Sequence, residues 1–114
     1  MNLYELYVKE RENLTTIKTD KGFIMYRIDF PNCIINDYFV IKAYRRNDHG
    51  KFLANQVFEI CKQAGVKTVF CQTDDLANNC DLSRYVIEKF GFEFVGKSGT
   101  INHFRMEVSE WEKR

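Results

Sequence analysis

Residues 40–53 read Val40-Ile41-Lys42-Ala43-Tyr44-Arg45-Arg46-Asn47-Asp48-His49-Gly50-Lys51-Phe52-Leu53, and within this stretch the period of the apolar residues changes. Upstream, Cys33 to Ala43 has few polar interruptions, which predicts a long strand buried on both sides. Downstream, from Gly50 to Ala64, Leu53, Val57, Ile60, Cys61 and Ala64 recur at helical spacing, predicting an amphipathic helix closed by Gly65. A strand feeding a helix through a polar connection is a natural anion site. The first N–H groups of a helix have no internal partners, and the helix dipole adds about half a positive charge there. Lys42, Arg45, Arg46 and Lys51 add positive charge, and Gly50 lets backbone come close to a ligand. The competing account of the same residues is an ordinary turn with solvated arginines.

Working outward, Val66 to Gln72 is a short β-rich run, followed by a second helix ending at Phe90 with Leu82, Tyr85, Val86 and Phe90 on one stripe. Gly91 caps that helix, and Phe92 to Val95 and Ile101 to Val108 are the last two strands. Toward the start, Asp20-Lys21-Gly22 and Pro31-Asn32 signal turns around an alternating strand, Phe23 to Phe30. Thr15 to Thr19 is β-branched, and Leu3 to Lys9 alternates, predicting two further strands. The expected order is ββββ-α-β-α-ββ. Its central strand–helix–strand unit requires a parallel crossover between Cys33–Ala43 and Val66–Gln72. The fold class is therefore α+β, with an α/β/α-like layering and a mixed, mostly antiparallel sheet around a central parallel strand pair. Along the long strand, Ile34, Asn36, Tyr38 and Val40 are expected on one face and Asp37 on the other.

The 114 residues suffice for one domain, 1–114, and 45% hydrophobic with 15% aromatic residues can fill its core. No apolar run approaches the roughly 20 residues that span a bilayer, and the start lacks the features of a signal peptide, so no membrane partner is expected. Seventeen basic against sixteen acidic residues leave a net charge of +1, without the basic stripe that a nucleic-acid surface needs. The local basic spot suits one small anion instead. The four cysteines (33, 61, 71 and 80) fit no paired zinc spacing, so reduced core thiols, no metal and a cytoplasmic location are expected. Trp111 is expected to be exposed.

Val40, Tyr44, Arg45, Gly50 and Leu53 stand at spacings that resemble the acyl-CoA-binding motif of the GNAT acetyltransferase superfamily. Glu88-Lys89-Phe90-Gly91-Phe92-Glu93-Phe94-Val95-Gly96 is similar to that family's Gly-Phe run before its penultimate strand, and the element order agrees from about Phe23 to Val108. The resemblance implies an acetyl-CoA-dependent N-acetyltransferase acting on an amine, with acetyl-CoA as cosubstrate. It implies a parallel pair, Tyr38–Lys42 and Thr68–Gln72, splayed to receive the pantetheine arm on backbone groups of Val40 and Lys42. The pyrophosphate would rest on the N–H groups of Arg46, Asn47, Asp48, His49, Gly50 and Lys51, near Arg45.

Departures from the family pattern sharpen these expectations. Asp48 stands at the loop's earlier glycine position; it tolerates left-handed backbone, yet as an N-cap its carboxylate would occupy the amides a pyrophosphate needs. The tyrosine that protonates the leaving thiolate in many members corresponds to Ile87, with Tyr85 two residues earlier, about 200° around the helix. The asparagine that often precedes it falls on Cys80, with Asn79 beside it. Asn36 and Tyr38 are candidates to bind substrate or order a water, and His103 is a weaker candidate base. Only Glu10 to Leu14 separate the first two expected strands where the family places two helices, leaving an open acceptor side. That suits a macromolecular acceptor or a wall from a second subunit, a homodimer. The alternative function is a catalytically silent relative that binds a partner.

Overall fold

Asn32 to Val40 forms the strand around which the sheet is organised. In the computed structural model, which describes residues 2–45, 48–78 and 80–111, the elements run α1 (Leu3–Glu12), β1 (Thr15–Lys18), β2 (Gly22–Asp29), β3 (Asn32–Val40), α2 (His49–Ala64), β4 (Thr68–Asp74), α3 (Cys80–Phe90), β5 (Glu93–Ser98) and β6 (Ile101–Glu107). Short 3-10 turns occupy Lys42–Tyr44 and Val108–Glu110. Arg46, Asn47 and Asn79, all singled out above, lie outside the described residues.

The six strands make one sheet in the order β1-β2-β3-β4-β6-β5. Only β3 and β4 run parallel; every other pair is antiparallel. The mixed sheet with a central parallel pair is as expected. β2 opposes β3 with Met25 against Asp37 and Tyr26 against Ile35, so Asn36 has no partner and forms a bulge. The extra residue reverses the alternation. Cys33, Ile35, Tyr38 and Val40 therefore face the main core, whereas Ile34 does not share a face with Tyr38 and Val40 as strict alternation predicts. Nor is β3 buried on both sides: Asn36, Asp37 and Phe39 are exposed.

The main core lies between this face and the two later helices. α2 contributes Leu53, Val57, Phe58 and Cys61, and α3 contributes Ile87 and Phe90. Each such fully buried side chain is worth about 1.5–3 kcal/mol. Phe58 rather than Ile60 completes the α2 stripe, and Gly65 closes the helix as a left-handed C-cap. On α3 the stripe is rotated from its expected position: Leu82 and Tyr85 are exposed and Ile87 is buried, because Ile87 and Phe90 are the positions that meet the Phe58 side of the core. Trp111 is buried, not exposed. Its indole N–H donates to Asn55 Oδ1 at 2.9 Å and its ring lies 5.8 Å from that of Phe58.

The largest revision is at the start, where Leu3–Glu12 is a helix and not a strand. The deciding signal is the Asn2-x-x-Glu5 pair. Asn2 Oδ1 accepts the Glu5 N–H at 2.9 Å, and Glu5 reaches back to the Asn2 N–H at 3.4 Å, a reciprocal cap that outweighs a short alternation. Glu5 then pairs with Lys18 of β1 at 2.8 Å, seating the helix on the sheet edge. That hydrogen bond is the main reason its carboxyl is held below the ordinary range.

Candidate active site

β3 and β4 pair at only three positions, Asn32 with Thr68, Cys33 with Val69 and Ile34 with Phe70. Beyond them Ile35–Val40 and Cys71–Asp74 diverge, so backbone groups that would have joined a parallel ladder are left facing a gap. Because the two strands are parallel, both end at the same edge of the sheet, and each leads into a helix. The mouths of α2 and α3 therefore flank the open end of the splay. The expected splay is present. It opens after Phe70, so Thr68 to Phe70 belong to its closed end.

At the α2 mouth, Asp48 is the N-cap with φ 58 and ψ 21, the left-handed conformation that its sequence position called for. Its side chain makes no capping bond, and its carbonyl accepts the Phe52 N–H at 3.0 Å. Among the described residues, no side chain caps the first N–H groups of α2. The self-plugging carboxylate is therefore not the arrangement adopted. Gly50 is an ordinary helical residue with room for a side chain, since a Cβ would meet only Val40 Cγ2 at 3.9 Å. Lys42, in the 3-10 turn rather than the strand, and Lys51 are exposed. Arg45 folds back: its Nε donates to the Val40 carbonyl at 2.9 Å and its guanidinium lies 5.7 Å from the Phe39 ring centre. His49 has its Nε2 2.7 Å from Thr19 Oγ1 and its ring stacked on Phe52.

Tyr38 points from β3 toward α3, half-buried against the main core. Burial pushes its hydroxyl above the ordinary range, and the Ser83 hydroxyl on α3 works in the opposite direction. Asn36, the bulged residue, is exposed. Tyr85 is 62% exposed, with the Lys89 ammonium 5.9 Å from its ring centre, while Ile87 is 7% exposed. His103 Nε2 lies 3.2 Å from Ser98 Oγ, away from the first mouth.

The α3 mouth holds groups that strand alternation alone did not bring forward. Asn102, 1% exposed on the inward face of β6, donates to Thr73 Oγ1 at 3.1 Å and to Asp75 Oδ1 at 2.7 Å. Lys97 pairs with the other Asp75 oxygen, and the Cys80 thiol donates to Oδ1 at 3.8 Å. The Lys97 bond first, and the Asn102 bond second, hold the Asp75 carboxyl below its ordinary value. Asp75, Ala77, Asn78, Cys80, Asp81 and Leu82 line a surface cavity of about 640 Å³ here. The missed signal was a polar residue in the inward series Asn102, Phe104, Met106. Cys33, Cys61 and Cys71 are free and buried, as expected; burial pushes the Cys71 thiol up to about 12. No group of metal-ligating side chains occurs among the described residues.

The sequence profile described as the acetyltransferase (GNAT) family matches residues 5–92, most of the elements that form this site. The chain belongs to the GNAT acetyltransferase family. Solved GNAT-like structures share its fold. The PaiA N-acetyltransferase of Thermoplasma acidophilum, crystallised with coenzyme A, superposes with a TM-score of 0.75 at 18% identity, covering 92% of this chain and 68% of that one. A GNAT-family acetyltransferase from Staphylococcus aureus gives 0.67 at 20% identity, covering 76% and 59%. An acetyltransferase from Bacillus cereus gives 0.65 at 16% identity, covering 82% and 71%. This GNAT chain thus spans about three-fifths to seven-tenths of those relatives' length. No sequence match is found among curated proteins.

Proposed function

We propose that the chain is an acetyl-CoA-dependent N-acetyltransferase acting on an amine acceptor. The observation that carries this is the pairing of a splayed parallel strand pair with an unplugged helix mouth at its open end. The released backbone of Ile35–Val40 and Cys71–Asp74 suits an extended amide-bearing arm, which would complete the interrupted ladder. The first amides of α2, His49 to Lys51, suit a diphosphate, with Lys42, Arg45 and Lys51 supplying charge and Arg46, Asn47 and Asp48 completing the connection. Arg45 would release the Val40 carbonyl as the arm engages it. In the transfer itself the acceptor nitrogen, unprotonated, bonds to the thioester carbon, the carbon–sulfur bond breaks, and the thiolate leaves with the electron pair. The proton shed by the nitrogen passes to water while the thiolate is reprotonated. A backbone N–H near Val40 would stabilise the charge on the carbonyl oxygen. In this reading Asn36 would order acceptor or water, and Tyr38 would act as a protonated hydroxyl on the thiol side. Tyr85, turned outward, is the weakest of the three candidates.

An acceptor side walled by little more than α1 would favour a macromolecular amine or a wall from a second copy of the chain. No described helix is long and apolar enough to cross a membrane, and buried free thiols fit a reducing, cytoplasmic setting. A second account, a GNAT-fold binder without turnover, is favoured by the buried Ile87 at the place where the resemblance puts the acid tyrosine. Calorimetry with acetyl-CoA, followed by thiol release in the presence of spermidine, a lysine peptide and a free peptide N-terminus, tests both. Binding with amine-dependent release supports the enzyme. Binding without release supports the silent binder, and no binding removes the enzyme.

A further inference from the structure

The turn between β1 and β2, residues Thr19-Asp20-Lys21-Gly22, is remote in sequence from the α2 mouth but touches its approach at several points. The Lys21 carbonyl accepts the Ile41 N–H at 2.8 Å. The Lys21 ammonium lies 5.0 Å from the Tyr44 ring centre. Gly22 presses on the Phe39 carbonyl so closely that a Cβ would stand 2.2 Å from its oxygen. Thr19 supplies the last and furthest-reaching contact. Its Oγ1 accepts the Lys21 N–H at 3.1 Å, which fixes the hydroxyl inside the turn, and meets His49 Nε2 at 2.7 Å. His49 is the first residue of α2.

We propose that Thr19, acting through His49, is a positioning residue for the anion-binding mouth of α2. The inference rests on the acetyl-CoA reading for its ligand, though not for its geometry. A connection from Ile41 to Asp48 that was held only at its two ends would leave the first turn of α2 free to shift. Donors that grip an anion must be held to within about half an ångström. The sheet is the rigid body here, and the β1–β2 turn is the part of it that reaches the helix start. The His49 side chain is accordingly a strut: its Nε2 is engaged by Thr19, and its ring is backed by Phe52.

The test is a double-mutant cycle read by coenzyme A calorimetry, together with amide exchange of the first turn of α2 without ligand. Thr19→Val should weaken coenzyme A binding roughly fivefold through loss of its contact with His49, and Thr19→Ser should restore it. His49→Ala should match Thr19→Val, and the double variant should be no worse than either. Exchange of the Phe52 amide, which donates to the Asp48 carbonyl, should quicken in Thr19→Val and return in Thr19→Ser. Additive losses would make His49 a ligand in its own right and overturn the strut. Unchanged affinity with unchanged exchange would overturn it as well. If the wild-type chain binds no coenzyme A, the exchange arm alone decides the strut, and the failure then belongs to the functional reading. Should Thr19→Val not fold, His49→Gln and Thr19→Ser carry the same comparison.

Discussion

The two helix mouths at the open end of the splay are built from opposite materials. The α2 mouth is basic, has no acidic residue in its first turn, and is held from outside by backbone contacts of the β1–β2 turn. The α3 mouth has Asp81 in its first turn and Asp75 beside it, and is held from inside by a buried amide, Asn102. Both helices present N-terminal amides to the same edge, so the dipole cannot distinguish them. Side-chain charge and bracing do, and they reserve the first mouth for an anion.

The comparison breaks most severely at Gly22. Gly22→Ala forces a methyl onto the Phe39 carbonyl and should cost about 3 kcal/mol in urea unfolding. A loss under 1 kcal/mol would mean that the turn is not pressed against β3. At the other mouth, Asn102→Ala leaves Thr73 and Asp75 without a buried donor and should cost about 2 kcal/mol, with coenzyme A affinity within twofold of wild type. A large loss of affinity there would merge the two mouths into one site. Arg45→Glu should weaken coenzyme A binding about thirtyfold while shifting thermal stability little, since Arg45 is exposed.

Gly50 sharpens the contrast through opposite signs. The protein leaves room for its Cβ, so Gly50→Ala should raise stability by about 0.5–1 kcal/mol through helix propensity. The same methyl, on the first turn where a ligand must approach backbone, should weaken coenzyme A binding about fivefold. Equal affinity for both forms would move the ligand away from these amides. The smallest effect is at acid pH. Asp75 and Glu5 are both held below their ordinary values, by Lys97 and Lys18 respectively. The stability they lend is complete above the carboxylate range and is lost as pH falls through their lowered values. Asp75→Asn should lower the thermal midpoint slightly near neutrality and flatten that acid limb, the two proteins converging as pH falls below about 4.

The readable part of the fold was the part where one local rule dominates. Period changes at Ala43–Gly50 and the turn residues around Phe23–Phe30 marked β2, β3, α2 and their connections within a few residues. Leu3–Lys9 misled because seven residues of alternation also fit two helical turns, and the Asn2–Glu5 cap decides between them. The face assignment on β3 failed at Asn36, because a bulge is set by how β2 and β3 align and leaves no mark in the strand's own alternation. The rotated stripe of α3 and the burial of Trp111 have the same origin: Phe58 offers a surface for Phe90 and the indole, and contact area outweighs the helix's own periodicity.

By itself the order of amino acids determined the family, the mixed sheet and the basic strand-to-helix connection, because each is written in residues close together in the chain. Only the tertiary structure decided that Asp48 leaves its amides open, that His49 is taken by Thr19, and that Asn102 holds Asp75. Those contacts join residues up to 30 positions apart. Their energies are a few kcal/mol at most, so they form only after the sheet has been assembled and has brought the partners within hydrogen-bond reach.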